Sequence, residues 1–233
     1  MKVGILAGGL GSRLSEETTL KPKPMVEIGE QPILWHIMKL YAAYGHTDFA
    51  VALGYKGEYI KRWFADRVNL AGDLRIRTGT GEITSDGALD EDDWTVELVE
   101  TGRNTNTGGR IKRLIPYLGT DGTFMVTWGD GVSTVDLDAL VDFHRSHGKL
   151  CTLTAVHPPA RYGHLEIDGD CIREFTEKPQ AAEGWINGAF FVMEPEVAEF
   201  IEGDDTLFER EPLEALAAKG ELMAYRHTDF WAC

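Results

Sequence analysis

A chain of 233 residues with 43% hydrophobic content can bury a substantial core and fits one large α/β domain or two small ones. Its formal net charge of −15 argues against non-specific nucleic-acid binding, which needs Lys and Arg to neutralise phosphates, but leaves room for a locally basic nucleotide pocket. No apolar run is long enough for a membrane-spanning helix, the start lacks signal-peptide layout, and three cysteines without C-x-x-C spacing argue against a zinc site or a disulfide framework. The expectation is a protein of the reducing cytoplasm.

Lys2 to Leu6 reads as a short buried strand that runs into the turn Ala7-Gly8-Gly9-Leu10-Gly11-Ser12-Arg13. Glycine has no Cβ, so backbone N–H groups can approach an anion closely there. Lys21-Pro22-Lys23-Pro24 follows and adds positive charge. Pro32 to Tyr41 has helical apolar spacing with Pro at a plausible first position, and Gly45 is a stop. Phe49 to Leu53 is a second buried strand, and Gly54-Tyr55-Lys56-Gly57 turns into a helix through Ile60, Trp63 and Phe64.

The stretch from Arg77 to Asp93 is rich in Gly, Thr, Asp and Glu and reads as an exposed loop or hairpin with a solvated acidic end. Thr95 to Val99 alternates as a strand. Thr101 to Arg110 reads as a polar loop, and Ile111 to Leu118 as a helix. Thr123 to Trp128 is a buried strand that stops at Gly129-Asp130-Gly131. Leu137 to His147 is an amphipathic helix closed by Gly148, and Leu150 to Val156 is a further strand. Shorter strands follow from Pro158, Gly188 to Met193 among them, and Leu213 to Lys219 reads as a helix ended by Gly220. The alternation predicts an α/β core of mainly parallel strands with helices on both faces, plus short antiparallel strands. Open sheets of this kind bind ligands at the carboxyl ends of their strands, where the glycine turn and Gly129-Asp130-Gly131 are expected to meet.

The glycine turn lacks the G-x-x-x-x-G-K-[ST] spacing of a P-loop, and Leu14 stands where a dinucleotide fingerprint places its third small residue. Two readings of Asp130 stand side by side. It is a carboxylate ligand for Mg²⁺, which favours oxygen ligands and substrate phosphates, or a turn former between two glycines. Glu177-Lys178-Pro179 is a phosphate grip or a surface turn with a Glu–Lys pair. No G-x-S-x-G elbow and no H-x-x-x-H pair with an accompanying glutamate occur, and Cys151, in an apolar run, reads as a buried inert thiol.

Taken together, the segments are more specific than any one of them. Leu6 to Leu14, Lys21-Pro22-Lys23-Pro24-Met25-Val26 and Gly29 to Trp35 resemble the sugar-phosphate nucleotidyltransferases. Gly54-Tyr55-Lys56-Gly57, Thr107-Gly108-Gly109-Arg110, Asn187-Gly188 and Phe230-Trp231 draw the resemblance closest to the glucose-1-phosphate cytidylyltransferases. The resemblance implies a Rossmann-like nucleotidyltransferase core, one domain over residues 1–233, that transfers a cytidylyl group from CTP to glucose 1-phosphate and releases pyrophosphate. It implies that Leu6, Ala7, Gly8, Gly9, Leu10, Gly11, Ser12 and Arg13 cradle CTP, with Arg13 and Lys23 on its phosphates and Thr105, Arg110 and Gly129 also on the nucleotide. It further implies that Asp130 holds Mg²⁺, that Lys178 takes the sugar phosphate, and that Glu177, Asn187 and Gly188 face the sugar.

Three consequences of the resemblance complete the expectation. The sugar phosphate is dianionic near neutral pH and needs no general base. Family members commonly assemble, so a homo-oligomer is expected. The family continues past its Phe-Trp and two more residues with Met-Asp-Thr, whose Asp is a second metal ligand, and this sequence stops at Cys233: either it is a truncated piece or the site is completed differently, and only a chain that truly ended there is expected to bind nucleotide and turn over poorly. Two rivals remain: a non-catalytic nucleotide-binding subunit, and a sister enzyme that uses dTTP or UTP.

Overall fold

The computed structural model describes residues 1–9, 21–86, 93–119, 122–158, 164–168, 171–176 and 184–233. Seven strands form the main sheet: β1 (Val3–Leu6), β2 (Asp48–Leu53), β3 (Thr95–Glu100), β4 (Phe124–Trp128), β5 (Cys151–Val156), β6 (Ile186–Met193) and β7 (Leu222–His227). Their order across the sheet is β7-β5-β6-β4-β1-β2-β3. All run parallel except β6, which is antiparallel to both β5 and β4. The mixed, mainly parallel sheet predicted from the alternation is therefore present. Short antiparallel pairs accompany it, including the hairpin of Leu74–Arg77 with Glu82–Ser85; its first strand precedes the stretch from Arg77 to Asp93 read as an exposed loop or hairpin, and its second strand lies inside it.

Helices cover both faces, so the central strands are apolar on both sides. On one face, α1 (Ile33–Ala43) and α4 (Leu137–His147) pack Leu34, Ile37, Met38, Leu140 and Val141 against Val3, Ile5, Val51, Met125 and Phe190. On the other, α3 (Thr107–Leu118) and α5 (Glu211–Ala218) pack Ile111, Leu114, Leu213 and Leu216 against Leu6, Ala52, Val126 and Phe191. The period-two alternation of β6 divides Phe190 and Val192 from Phe191 and Met193 between the faces. Burial of each such aromatic stabilises the fold by about 1.5–3 kcal/mol. Cys151 lies wholly inside, and desolvation pushes its thiol far above the ordinary range, as expected of an inert group.

Local signals set the helix ends. Asp136 caps α4 by accepting from Ala139 N at 2.9 Å, and Gly148 ends it in the left-handed region at φ 61°. Helix α2 (Gly57–Asn69) starts after Lys56, itself left-handed at φ 54°. Pro32 is the residue before α1 rather than its first residue.

One boundary differs substantially from the sequence reading. Helix α3 begins at Thr107, so Gly108, Gly109 and Arg110 belong to its first turn and not to a loop. A glycine pair normally disfavours a helix. Here the segment 203–206 presses on that turn. Asn106 N donates to Asp204 O at 2.7 Å and Gly108 N to Thr206 O at 2.9 Å. A Cβ on Gly108 would lie 2.8 Å from Thr206 O, and one on Gly109 would lie 2.6 Å from Asp204 Cα. Close packing from a hundred residues away selects the glycines and starts the helix early.

Candidate active site

The carboxyl ends of β1 and β4 meet as the topology rule requires. Gly129 N donates to Leu6 O at 2.9 Å, and Ala7 N donates to Ala52 O at 3.0 Å. Above them opens a cavity of about 250 Å³. Leu6, Ala7, Gly8, Gly9, Lys23, Thr105, Arg110, Gly129 and Asp130 all line it, so nine residues singled out in the sequence share one wall-to-wall space.

The remaining expected site residues divide in two. Leu10, Gly11, Ser12, Arg13, Glu177 and Lys178 lie outside the described residues. Asn187 and Gly188 are described and do not line this cavity. They form an irregular stretch of β6, where its pairing with β5 shifts register between Leu153 and Ala155. Asn187 Oδ1 accepts from Ala189 N at 2.8 Å and supports Ala189 at φ 61°, while Trp231 Nε1 donates to Gly188 O at 2.8 Å. Trp231 itself sits in the short pair of Trp231–Ala232 with Val132–Ser133, just beyond Gly131.

Lys23 and Asp130 form an ion pair, Nζ to Oδ2 at 2.6 Å, with 21% and 25% of their side chains exposed. Lys23 opens a short turn, Lys23–Met25, whose Pro24 and Met25 are buried, so the lysine is delivered from a fixed base. Both charges stay within reach of an anion or a cation that enters the cavity.

Arg110 behaves differently. It is only 4% exposed, and its guanidinium is turned into the protein. Nη1 donates to Leu53 O at 2.9 Å and Thr101 Oγ1 at 2.6 Å; Nη2 donates to Gly8 O at 2.9 Å. Thr101 Oγ1 donates in turn to Leu53 O at 2.7 Å. Burial pushes the guanidinium below its ordinary pKa, repulsion from Arg113 adds to the shift, and Asp204 opposes it. As an arginine it keeps its proton.

The cavity also contains residues that sequence reasoning missed: Pro24, Arg103, Asn104, Asn106, Thr107, Trp128 and Leu207. Trp128 directly precedes Gly129-Asp130, so its place at a strand end was available as a signal. Leu207 had none, because it arrives from a segment without a motif. The indole of Trp128 is held firmly. It stacks on Phe191 at 5.0 Å between centroids, and its Nε1 donates to Glu209 Oε1 at 3.1 Å. Glu209 Oε2 accepts from Thr107 Oγ1 at 2.5 Å, which links this wall to the start of α3.

The arrangement suits a phosphorylated ligand: a glycine turn, a poised lysine and a carboxylate around one opening. Among the described residues no three His, Cys, Asp or Glu side chains gather as a metal cage. A single carboxylate facing the cavity still fits Mg²⁺, which takes one or two carboxylates and fills its shell with phosphates and water.

Known proteins resemble this chain over nearly its whole length. The chain is 49% identical over 231 residues to a glucose-1-phosphate cytidylyltransferase of Salmonella typhi, covering 99% of this chain and 90% of that protein. It is 42% identical over 232 residues to a probable glucose-1-phosphate cytidylyltransferase of Bacillus subtilis (strain 168), with the same coverage. Among solved structures, HddC from Yersinia pseudotuberculosis matches with a TM-score of 0.70 and 25% identity, over 99% of this chain and 92% of that one. A family model described as nucleotidyl transferase matches residues 2–232, and with these relatives it shows that the chain belongs to the nucleotidyl transferase family.

Proposed function

We propose that this chain transfers the cytidylyl group of CTP to α-D-glucose 1-phosphate, giving CDP-glucose and pyrophosphate. The observation that carries the reading is the meeting of Gly8, Gly9, Lys23 and Asp130 around one cavity, in a chain 49% identical to a protein of that name. A phosphate oxygen of the sugar phosphate attacks the α-phosphorus, the bond to the β-phosphate oxygen breaks, and pyrophosphate leaves. The nucleophile is already dianionic near neutral pH, so no protein base is required. The obstacle is bringing one anion onto another.

This chain's residues address that obstacle. The turn at Gly8 and Gly9 receives the nucleotide, and Lys23 draws its phosphates into the cavity. Asp130 is the residue that holds a divalent ion, for which we propose Mg²⁺. When bound, that ion offsets phosphate charge and stabilises the departing pyrophosphate. Lys23 and Asp130 satisfy each other in the free protein. Nucleotide phosphates compete for the lysine and free the carboxylate. Alignment of the two substrates for in-line attack supplies much of the remaining rate. By resemblance, Arg13 joins Lys23 on the triphosphate, Lys178 takes the sugar phosphate, and Glu177, Asn187 and Gly188 face the sugar.

The same reading extends to a single domain over residues 1–233, a homo-oligomeric assembly and a cytoplasmic location. Among the described residues no helix is long and apolar enough to cross a membrane. The net charge of −15 argues against a nucleic-acid partner and leaves room for small anionic substrates held by local cations.

The test is pyrophosphate release with glucose 1-phosphate and each of CTP, UTP, dTTP and GTP, with and without EDTA. The expected result is metal-dependent release that is fastest with CTP. Preference for another nucleotide makes the chain a sister enzyme, and release with none of them overturns the catalytic reading.

A further inference from the structure

Strand β6 breaks its own ladder at the residues expected to face the sugar. Asn187 is in register with Ala155 of β5 and Phe191 with Leu153, so three residues of β6 stand against Thr154 alone. Gly188 and Ala189 are in register with neither β5 nor β4. Local contacts hold this bulge in one shape. Gly188 presses on β5, where a Cβ would lie 2.8 Å from Val156 Cγ1 and 2.9 Å from Thr154 O. Ala189 is left-handed at φ 61°, a strained conformation for a residue with a Cβ, which persists only where the surroundings impose it. Asn187 Oδ1 locks it by accepting from Ala189 N at 2.8 Å.

One further hold comes from far along the chain. Gly188 is buried, and its carbonyl, left out of the ladder, accepts from Trp231 Nε1 at 2.8 Å. The backbone of Trp231 is fixed elsewhere. Trp231 is in register with Ser133 and Ala232 with Val132. Phe230 O accepts from Thr134 N at 3.1 Å and from Ser133 Oγ at 2.9 Å. Val132 is two residues beyond Asp130. The indole therefore reaches from the strand that leaves Asp130 to the bulge at Asn187 and Gly188. An indole is a rigid arm with a single donor, and a bulge carbonyl is the single acceptor it needs.

We propose that Trp231 is a positioning residue for the transfer step: it sets the separation between Asp130 and the bulge at Asn187 and Gly188, and so the approach of the sugar phosphate to the α-phosphorus. This rests on the cytidylyl-transfer reading above. Alignment of bound reactants contributes rate, and a misplacement of about 1 Å costs on the order of a hundredfold. Loss of the clamp belongs in kcat, with both substrates still bound. Ala189 is part of the same device, because its strained backbone holds the carbonyl of Gly188 toward the indole.

Trp231→Phe, which removes the donor and keeps an aromatic ring, and Ala189→Gly, which relaxes the bulge, test the assignment. In Trp231→Phe, kcat is expected to fall at least about tenfold, with the KM values for CTP and glucose 1-phosphate unchanged within about twofold. Ala189→Gly is expected to lower kcat about threefold without lowering the melting temperature, since it removes strain. The double variant is expected to be about as slow as Trp231→Phe alone, because both changes release one bulge. A readout without substrates accompanies the kinetics. The indole N–H signal that Trp231→Phe removes from the NMR spectrum is expected to exchange slowly in the unmodified chain and at least about tenfold faster in Ala189→Gly. Fast exchange in the unmodified chain shows that the clamp is not held and overturns the proposal. A rise confined to the KM for glucose 1-phosphate makes Trp231 a sugar contact and overturns it as well. A fall in kcat that comes with a lower melting temperature in Trp231→Phe, while Ala189→Gly keeps full kcat, makes Trp231 a general brace and has the same effect. Absence of pyrophosphate release by the unmodified chain with any nucleotide overturns the transfer reading and this one with it, whereas normal kcat in both variants overturns this one alone.

Discussion

The two walls of the cavity hold their charges in opposite ways. On the α3 wall, Arg110 is buried and its Nη donors are spent on protein acceptors, while Trp128 is pinned between Phe191 and Glu209. On the opposite wall, Lys23 and Asp130 stay about a quarter exposed and satisfy each other across 2.6 Å. A buried group whose Nη donors face protein acceptors can set a shape and has fewer donors left for a ligand. A half-exposed ion pair sets less shape and can exchange its partner for a substrate. Similar residue types therefore serve as frame on one wall and as reactive groups on the other, and burial decides which.

The sharpest way to break this comparison is to disable the exchangeable wall. Asp130→Asn keeps the size and turn-forming capacity of the side chain and removes its charge. Turnover is expected to fall about a thousandfold, on the scale of losing several kcal/mol of transition-state stabilisation. The melting temperature is expected to hold within a few degrees, because the lost ion pair is partly solvated. Retained pyrophosphate release in a coupled assay would remove Asp130 from the mechanism. A large fall in melting temperature would instead place it in the frame.

Lys23→Met probes the exchange itself. If the ion pair holds Asp130 in reserve, removing the lysine frees the carboxylate for a cation even without nucleotide. Mn²⁺ binding to the free protein, read by electron paramagnetic resonance, is expected to tighten roughly fivefold, equivalent to about 1 kcal/mol for a half-exposed pair. Turnover is expected to fall at the same time, since the phosphates lose their lysine. Mn²⁺ affinity that stays unchanged in Lys23→Met shows that the pair does not compete with the metal.

The same division explains what could be read in advance. The strands around Val3–Leu6 and Phe124–Trp128 are continuous apolar runs that end in glycine, so Gly8, Gly9 and Asp130 were visible as a converging site. Exposed and exchangeable charges such as Lys23 sit next to motifs and are legible from them. The frame was less so. The reason Gly8 is glycine lies in Arg110, 102 positions away, and local sequence attributed it to anion approach alone. The early start of α3 depends on carbonyls at Asp204 and Thr206, against the helix propensity of Gly108 and Gly109. Leu207 reaches the cavity by the same segment and carries no pattern of its own. Contacts made only by tertiary packing leave no periodicity behind.

A second polar frame, away from the cavity, offers the mildest test, through pH. Around Thr152 the donors and acceptors fit one order. Lys149 N donates to His147 Nδ1 at 2.9 Å, so His147 carries its proton on Nε2 and donates to Thr152 Oγ1 at 2.7 Å. The hydroxyl then donates to His144 Nδ1 at 2.8 Å, and His144 Nε2 donates to Glu194 Oε1 at 3.1 Å. Every link is satisfied with His147 neutral, and a proton added to its Nδ1 opposes the Lys149 N–H. Desolvation lowers the His147 pKa below its ordinary 6.5, His144 and Lys149 lower it further, and Glu221 opposes them. Burial and the N-terminal charge lower His46 in the same sense. With folded-state values below the unfolded ones, the unfolded chain binds more protons as the medium acidifies. The stabilisation is therefore complete above about pH 6.5 and is lost as pH falls through the lowered folded values. Melting temperature is expected to decline on acidification below neutrality, and His147→Gln, which cannot titrate, is expected to flatten part of that decline. An unchanged slope in His147→Gln would show that protonation at this position is not linked to folding.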